Sequence, residues 1–202
     1  MPTDETEPTP FFAWLWEPQT LIGLSAVVLS VCGLSLGIYE ASLMRQAQRA
    51  SVWPHVEVGA SMTSQGVDLW ARNTGVGPAR IQAAAVIYEA ALVANWDGLL
   101  GQVSGGPVAG SYQSVIAGRV LPPTGHESML RVVADSSASA VAPALRQAVL
   151  DGAVEVALCY CSVYDECWMT TLQSLVRRTR GDAAAGPPAT VDDCEGAPRS
   201  GI

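Results

Sequence analysis

Residues 21 to 38 read LIGLSAVVLSVCGLSLGI, eighteen in a row without a charge, a proline or a side-chain amide. A run of that length is what a single transmembrane helix needs to cross a bilayer, since about 20 residues at 1.5 Å each cover the hydrocarbon core. The aromatics of FFAWLW (11–16) stand before it and Tyr39 after it, where amphipathic rings favour the membrane–water boundary. A cleavable signal peptide is the competing reading, but it calls for a positive start and a small-residue cleavage site. Here the first 17 residues carry Asp4, Glu5, Glu7 and Glu17 without a cationic side chain. The apolar run also continues into EASLMRQAQRAS, which extends the helix into water. The sequence therefore predicts an acidic segment over 1–17 and a membrane helix with its extension over 18–50.

Orientation follows from the arginines. None precedes the span, whereas Arg45 and Arg49 follow it closely, and Lys/Arg-rich flanks stay in the cytoplasm. The expectation is a single-pass protein of a bacterial inner membrane, N-terminus outside and the bulk of the chain cytoplasmic. The net charge of −8 and the absence of a basic patch exclude nucleic acid as a partner.

After Ser51 the pattern changes to short β-type runs punctuated by Gly and Pro. Seven of these, at 52–58, 66–72, 79–90, 112–121, 127–134, 153–163 and 167–176, predict an antiparallel β-sandwich domain over 51–178. One short helix is expected over 136–152, with serines at its start and Gly152 at its end. Residues 179–202 are rich in Ala, Gly, Pro and Asp and are expected to form a disordered tail.

Most motifs weaken on inspection. GLSLG (33–37) matches a hydrolase nucleophile elbow but lies inside the membrane span, where the strand–turn–helix setting of that motif is impossible. The same glycines belong to a stripe of small residues, Gly23, Ala26, Ser30, Gly33 and Gly37. That spacing lets two membrane helices approach closely and offers a homodimer face. NTGVGPA (73–79) lacks the Lys-Ser/Thr of a phosphate loop and reads as a turn whose glycines adopt positive φ. His55 and His126 are isolated, and no serine near either has an activating context. Trp70, Trp96 and Trp168 are expected in the core. Trp53 is expected near the membrane surface.

CYCSVYDECW (159–168) packs three of the five cysteines into nine positions. In a strand, Val154, Val156, Leu158, Tyr160 and Ser162 share one face, which reads as the core face. Glu155, Ala157, Cys159, Cys161 and Val163 share the other. A three-residue loop at Val163–Asp165, with Asp165 left-handed, pairs Ser162 with Glu166, Cys161 with Cys167 and Cys159 with Met169. Cys161 and Cys167 then form a non-hydrogen-bonded pair with Cα atoms about 4.5 Å apart, close enough for a disulfide. Three readings compete. The set Cys159, Cys161, Cys167 and Met169 would suit a soft metal, though C-x-C on a strand separates its thiols by about 7 Å. A Cys161–Cys167 disulfide would normally be reduced in the cytoplasm. Cysteines packing as small hydrophobes fit the expected reducing side and are the primary reading.

The succession RQAQRASVWPHV, NTGVGPARI, LPPTGHESML and CYCSVYDECW resembles a group of uncharacterised bacterial membrane-anchored proteins, over about residues 20 to 176. The resemblance implies an immunoglobulin-like β-sandwich on a membrane anchor and supplies no activity. In that group the hairpin loop usually ends in glycine, where Asp165 stands here. With no cofactor motif and no catalytic constellation, the expected function is a non-enzymatic interaction or regulatory module. Its expected partners are the lipid bilayer and another membrane or cytosolic protein. The alternative is a thiol-based redox or soft-metal-responsive membrane sensor on the 159–169 face.

Overall fold

A computed structural model describes residues 18–106, 110–134, 141–172 and 188–202. The expectations for the acidic segment and its aromatic belt, for the serines at 136–140 and for 179–187 lie outside these residues. The chain divides into two units, Met1–Gln48 and Arg49–Ile202.

Helix α1 (Pro18–Ser51) is long and apolar enough to cross a membrane, as the uncharged run required. Leu21, Ile22, Leu24, Val27, Leu29, Leu34 and Ile38 are all exposed along it. Such a surface is tolerable in lipid and costly in water. The stripe from Gly23 to Gly37 lies on this exposed surface, and the Ser30 hydroxyl donates to the Ala26 carbonyl at 2.8 Å.

Arg49–Ile202 is mainly antiparallel sheet. Strands β1 (Val56–Thr63), β2 (Gly66–Asn73), β5 (Ser111–Gln113) and β7 (His126–Val133) form one sheet in the order β1-β2-β7-β5. Strands β3 (Ala79–Tyr88), β4 (Ala91–Val93), β6 (Val120–Leu121), β8 (Val154–Cys161), β9 (Cys167–Thr171) and β10 (Ala189–Val191) form the second. Its order is β10-β9-β8-β3-β4, with β6 also on β3. Helices α2 (Trp96–Ser104) and α3 (Val141–Leu150) contribute Trp96, Leu99, Leu100, Leu145 and Val149 to a core shared by both sheets.

Several boundaries differ from those expected. The 112–121 run is two short strands interrupted at 114–119, and the 52–58 run starts only after Pro54. Helix α2 was not anticipated, although its signals are present. Trp96, Leu99, Leu100 and Val103 fall at helical spacing, the Asn95 side chain caps the Gly98 N–H at 2.8 Å, and Gly105 closes the helix at φ +77. Trp70 is not a core residue. It lies half-buried over Gly59, donates to Ser61 Oγ at 2.9 Å and stacks against His126. Trp96 and Trp168 are buried as expected, and Trp53 meets Trp168 edge-on at 6.4 Å.

The NTGVGP turn is held by Asn73, which is wholly buried. Its Nδ2 donates to Gly77 O (2.8 Å) and Leu121 O (3.0 Å), with Pro122 O at 3.2 Å, while Oδ1 accepts from His55 N and Gly75 N. One side chain thus joins three segments distant in sequence. Gly75 and Gly77 do not adopt the positive φ expected of them. They are required because the chain at 52–55 crosses over them. A Cβ on Gly75 would meet His55 N at 2.3 Å, and one on Gly77 would meet Val52 O at 1.7 Å. Replacing Asn73 by Ala should cost at least about 2 kcal/mol, since several buried partners lose their bonds at once. Denaturant unfolding of the solubilised protein measures this, with the exposed change Ser64→Ala expected within about 0.5 kcal/mol of wild type.

Candidate functional site: a four-cysteine cluster

The β8–β9 hairpin has the register its sequence required. Tyr160 pairs with Trp168, Cys161 with Cys167 and Cys159 with Met169. Ser162 N donates to Glu166 O at 2.8 Å, closing the loop, and Asp165 is left-handed at φ +60. The Ser162 hydroxyl accepts from Tyr164 N (3.1 Å) and lies 3.3 Å from Glu166 N, so the tip is a hydrogen-bonded turn. Arg80 of β3 forms an ion pair with the Asp165 carboxylate at the end of the loop. Arg49 reaches Glu166 at 3.4 Å.

The two faces of β8 are both buried, in different company. Val154, Val156, Leu158 and Tyr160 enter the main core. Cys159 and Cys161 project to the other side, where a second apolar cluster contains Ala83, Cys159, Cys161, Cys167 and Cys194. Alternation along a strand dictates the separation. Burial of the second face is a consequence of residues 188–202, which are not disordered.

Strand β10 pairs with β9, Val191 opposite Cys167, and the chain then turns through 193–197 beneath the cysteines. Ser200 N donates to Ala84 O at 2.8 Å, and Ser200 Oγ accepts from Val86 N at 3.1 Å. Ala84 lies between the stretches of β3 paired with β6 and β4, and Val86 is the first residue of the stretch paired with β4. Ile202 is completely buried in the main core. An Ala-, Gly- and Pro-rich composition therefore misled. The segment supplies little apolar surface of its own, but it completes an edge of β3 and carries a cysteine.

Four of the five cysteines are paired. Cys161 and Cys167 form a cystine across the hairpin, with Cα atoms 4.0 Å apart. Cys159 and Cys194 form a second, with Cα atoms 5.8 Å apart and 35 residues between them. Cys32, in α1, is free. The two cystines touch, Cys161 Sγ lying 3.7 Å from Cys194 Sγ. The sulfurs of Cys161, Cys167 and Cys194 all fall within 4.8 Å of one another. The soft-metal set Cys159, Cys161, Cys167 and Met169 is thus not assembled as thiolates, because each of its cysteines is in a cystine. The primary reading of these cysteines as unpaired small hydrophobes is corrected for the same reason, although all four are buried. The hairpin register sets Cys161 opposite Cys167, as the loop length required, but their bond was only a lesser alternative, and Cys194 fell in the expected tail. The odd spacing of Cys194 carries no register of its own.

Tyr160 is fully buried between the two cysteines of β8, on the core face, 5.7 Å from the Trp168 ring. Burial pushes its phenol from 10.0 up to about 12, partly offset by the Val56 backbone, and the hydroxyl makes no hydrogen bond of ordinary geometry. His55 is half-buried with Nδ1 unpartnered, and His126 is exposed on Trp70. The structure brings neither histidine to the cysteine cluster. No protein-family model matches the chain, and no curated protein matches it.

Two predictions follow from this geometry. Between pH 10 and 12 the unfolded chain has lost the Tyr160 proton that the folded chain still holds, so stability falls as pH rises through that window. The loss totals roughly 2–3 kcal/mol, and Tyr160→Phe should abolish that part of the slope in alkaline unfolding titrations. The longer cross-link should also matter more. By loop entropy Cys194→Ser costs about 4 kcal/mol and Cys167→Ser about 2, an order that thermal unfolding under non-reducing conditions reads directly.

Proposed function

We propose that this chain is a membrane-tethered, non-enzymatic interaction or regulatory module, its β domain an immunoglobulin-like sandwich closed by two cystines. Support for the tether comes from α1, whose apolar side chains are exposed along the uncharged run. Support for the sandwich comes from two antiparallel sheets that share one core.

The observation that carries the interaction reading is the hairpin tip. Val163 and Tyr164 are exposed, at 48% and 45%, on a turn fixed by the Ser162–Glu166 bond, the Arg80–Asp165 pair and the Cys161–Cys167 cystine. A rigid turn presenting an aromatic and an aliphatic side chain loses little entropy on binding, and Tyr is enriched where binding energy concentrates. The partner would be a second protein at the membrane. Homodimerisation through the Gly23–Gly37 stripe would present two such tips together.

The cystines also bear on orientation. Arg45 and Arg49 favour a cytoplasmic domain, but by a margin of two charges. Two cystines in one domain favour an oxidising compartment, where such bonds form and persist. We give the cystines more weight and assign the domain to the outer side of the membrane, N-terminus inside. In a bacterium of the kind the chain resembles, this is the inner membrane. The thiol-based redox alternative gains from the Cys161–Cys194 sulfur contact, while its soft-metal form would first need both cystines reduced.

Two experiments test this. A photo-cross-linking residue at position 164 should give one discrete adduct in native membranes, and the same residue at Leu92, on β4, should not. Equal adducts at both positions, or none at 164, contradict the interaction reading. Ala91→Cys should react with a membrane-impermeant maleimide in intact cells. Reaction only after lysis restores the cytoplasmic orientation.

A further inference from the structure

We infer that the two cystines form one thiol–disulfide exchange unit, in which reduction entering at Cys161–Cys167 passes to Cys159–Cys194. The inference rests on the redox reading of the cysteine face and adds to it a route, a direction and a consequence for the C-terminal segment.

The direction follows from position. All four cysteines are buried, but Cys167 directly follows the half-buried Glu166 of the tip, whereas Cys161 is flanked by the buried Tyr160 and Ser162. The substrate class is a protein or small-molecule dithiol. Its thiolate attacks Cys167 Sγ, forming a mixed disulfide and expelling Cys161 as thiolate. That sulfur already lies 3.7 Å from Cys194 Sγ. Attack of Cys161 on Cys194 makes the Cys161–Cys194 bond and expels Cys159 as thiolate. The second thiol of the dithiol then resolves the mixed disulfide at Cys167. One dithiol has become a disulfide, two cystines have become one, and Cys159 and Cys167 each take up a proton. Two electrons are transferred, and no further reagent is consumed.

The consequence is mechanical. Residues 188–202 begin fastened to Cys159 and finish fastened to Cys161, two residues along the same face of β8. The segment bonded to Ala84 and Val86 of β3 must adjust to that change. The hairpin, freed of its own cystine, becomes the reporter of the redox state.

The Cys167→Ser variant isolates the transfer, because it leaves Cys161 a free thiol beside an intact Cys159–Cys194 bond and needs no reductant. Acid-quenched, non-reducing peptide mapping of the full-length solubilised variant should find Cys161–Cys194 with Cys159 free, alongside Cys159–Cys194. Finding Cys159–Cys194 alone overturns the inference. Wild-type protein titrated with a dithiol until one cystine is lost provides the second arm, in case the variant folds poorly. The surviving bond should be Cys161–Cys194. Survival of Cys159–Cys194 with Cys161 and Cys167 free overturns the transfer and leaves the redox reading standing. If no cystine opens short of denaturation, the redox reading fails, and the variant map still decides whether the sulfurs exchange.

Discussion

Strand β8 is buried on both faces, and the rest of the domain depends on how each face is covered. A single buried face would need only the opposing sheet. Here Val156, Leu158 and Tyr160 find that cover in the common core, while Cys159 and Cys161 need a second layer. Residues 188–202 supply it, bonded to β9, β3 and Cys159. A segment with so little apolar surface could not hold that position by burial alone. The cystine holds the segment near β8 in the unfolded chain as well, which reduces the entropy lost on docking.

The sequence was most informative where one local rule had one outcome. The uncharged run at 21–38 leaves few alternatives to a long apolar helix, and β8 alternates so regularly that its two faces could be separated residue by residue. Hairpin register followed from loop length alone, including the left-handed Asp165. These are short-range constraints, set by covalent geometry and side-chain periodicity.

Long-range features were harder to read. Nothing local in VDDCEGAP says that Cys194 returns to β8, because that bond depends on where β10 pairs. Gly75 and Gly77 look like positive-φ turn residues, yet their role is set by Val52–His55 passing over them. Trp70 carries the hydrophobicity of a core residue and lies outside, where Gly59 leaves room for its ring and Ser61 satisfies its N–H. Helix α2 was legible from Asn95, Gly105 and four apolar positions, but the surrounding strand pattern masked it. Orientation shows the same division. The arginines are a local signal, and the cystines become visible only after the chain has folded.

The central claim is that Cys159, Cys161, Cys167 and Cys194 are paired in the protein as it exists in cells. Alkylating cells quenched in acid, then denaturing the protein without reductant and weighing it intact, measures this most directly. Two cystines predict a single adduct, on Cys32. Five adducts would mean that the cluster is reduced, returning the domain to the cytoplasmic side and its cysteines to simple packing.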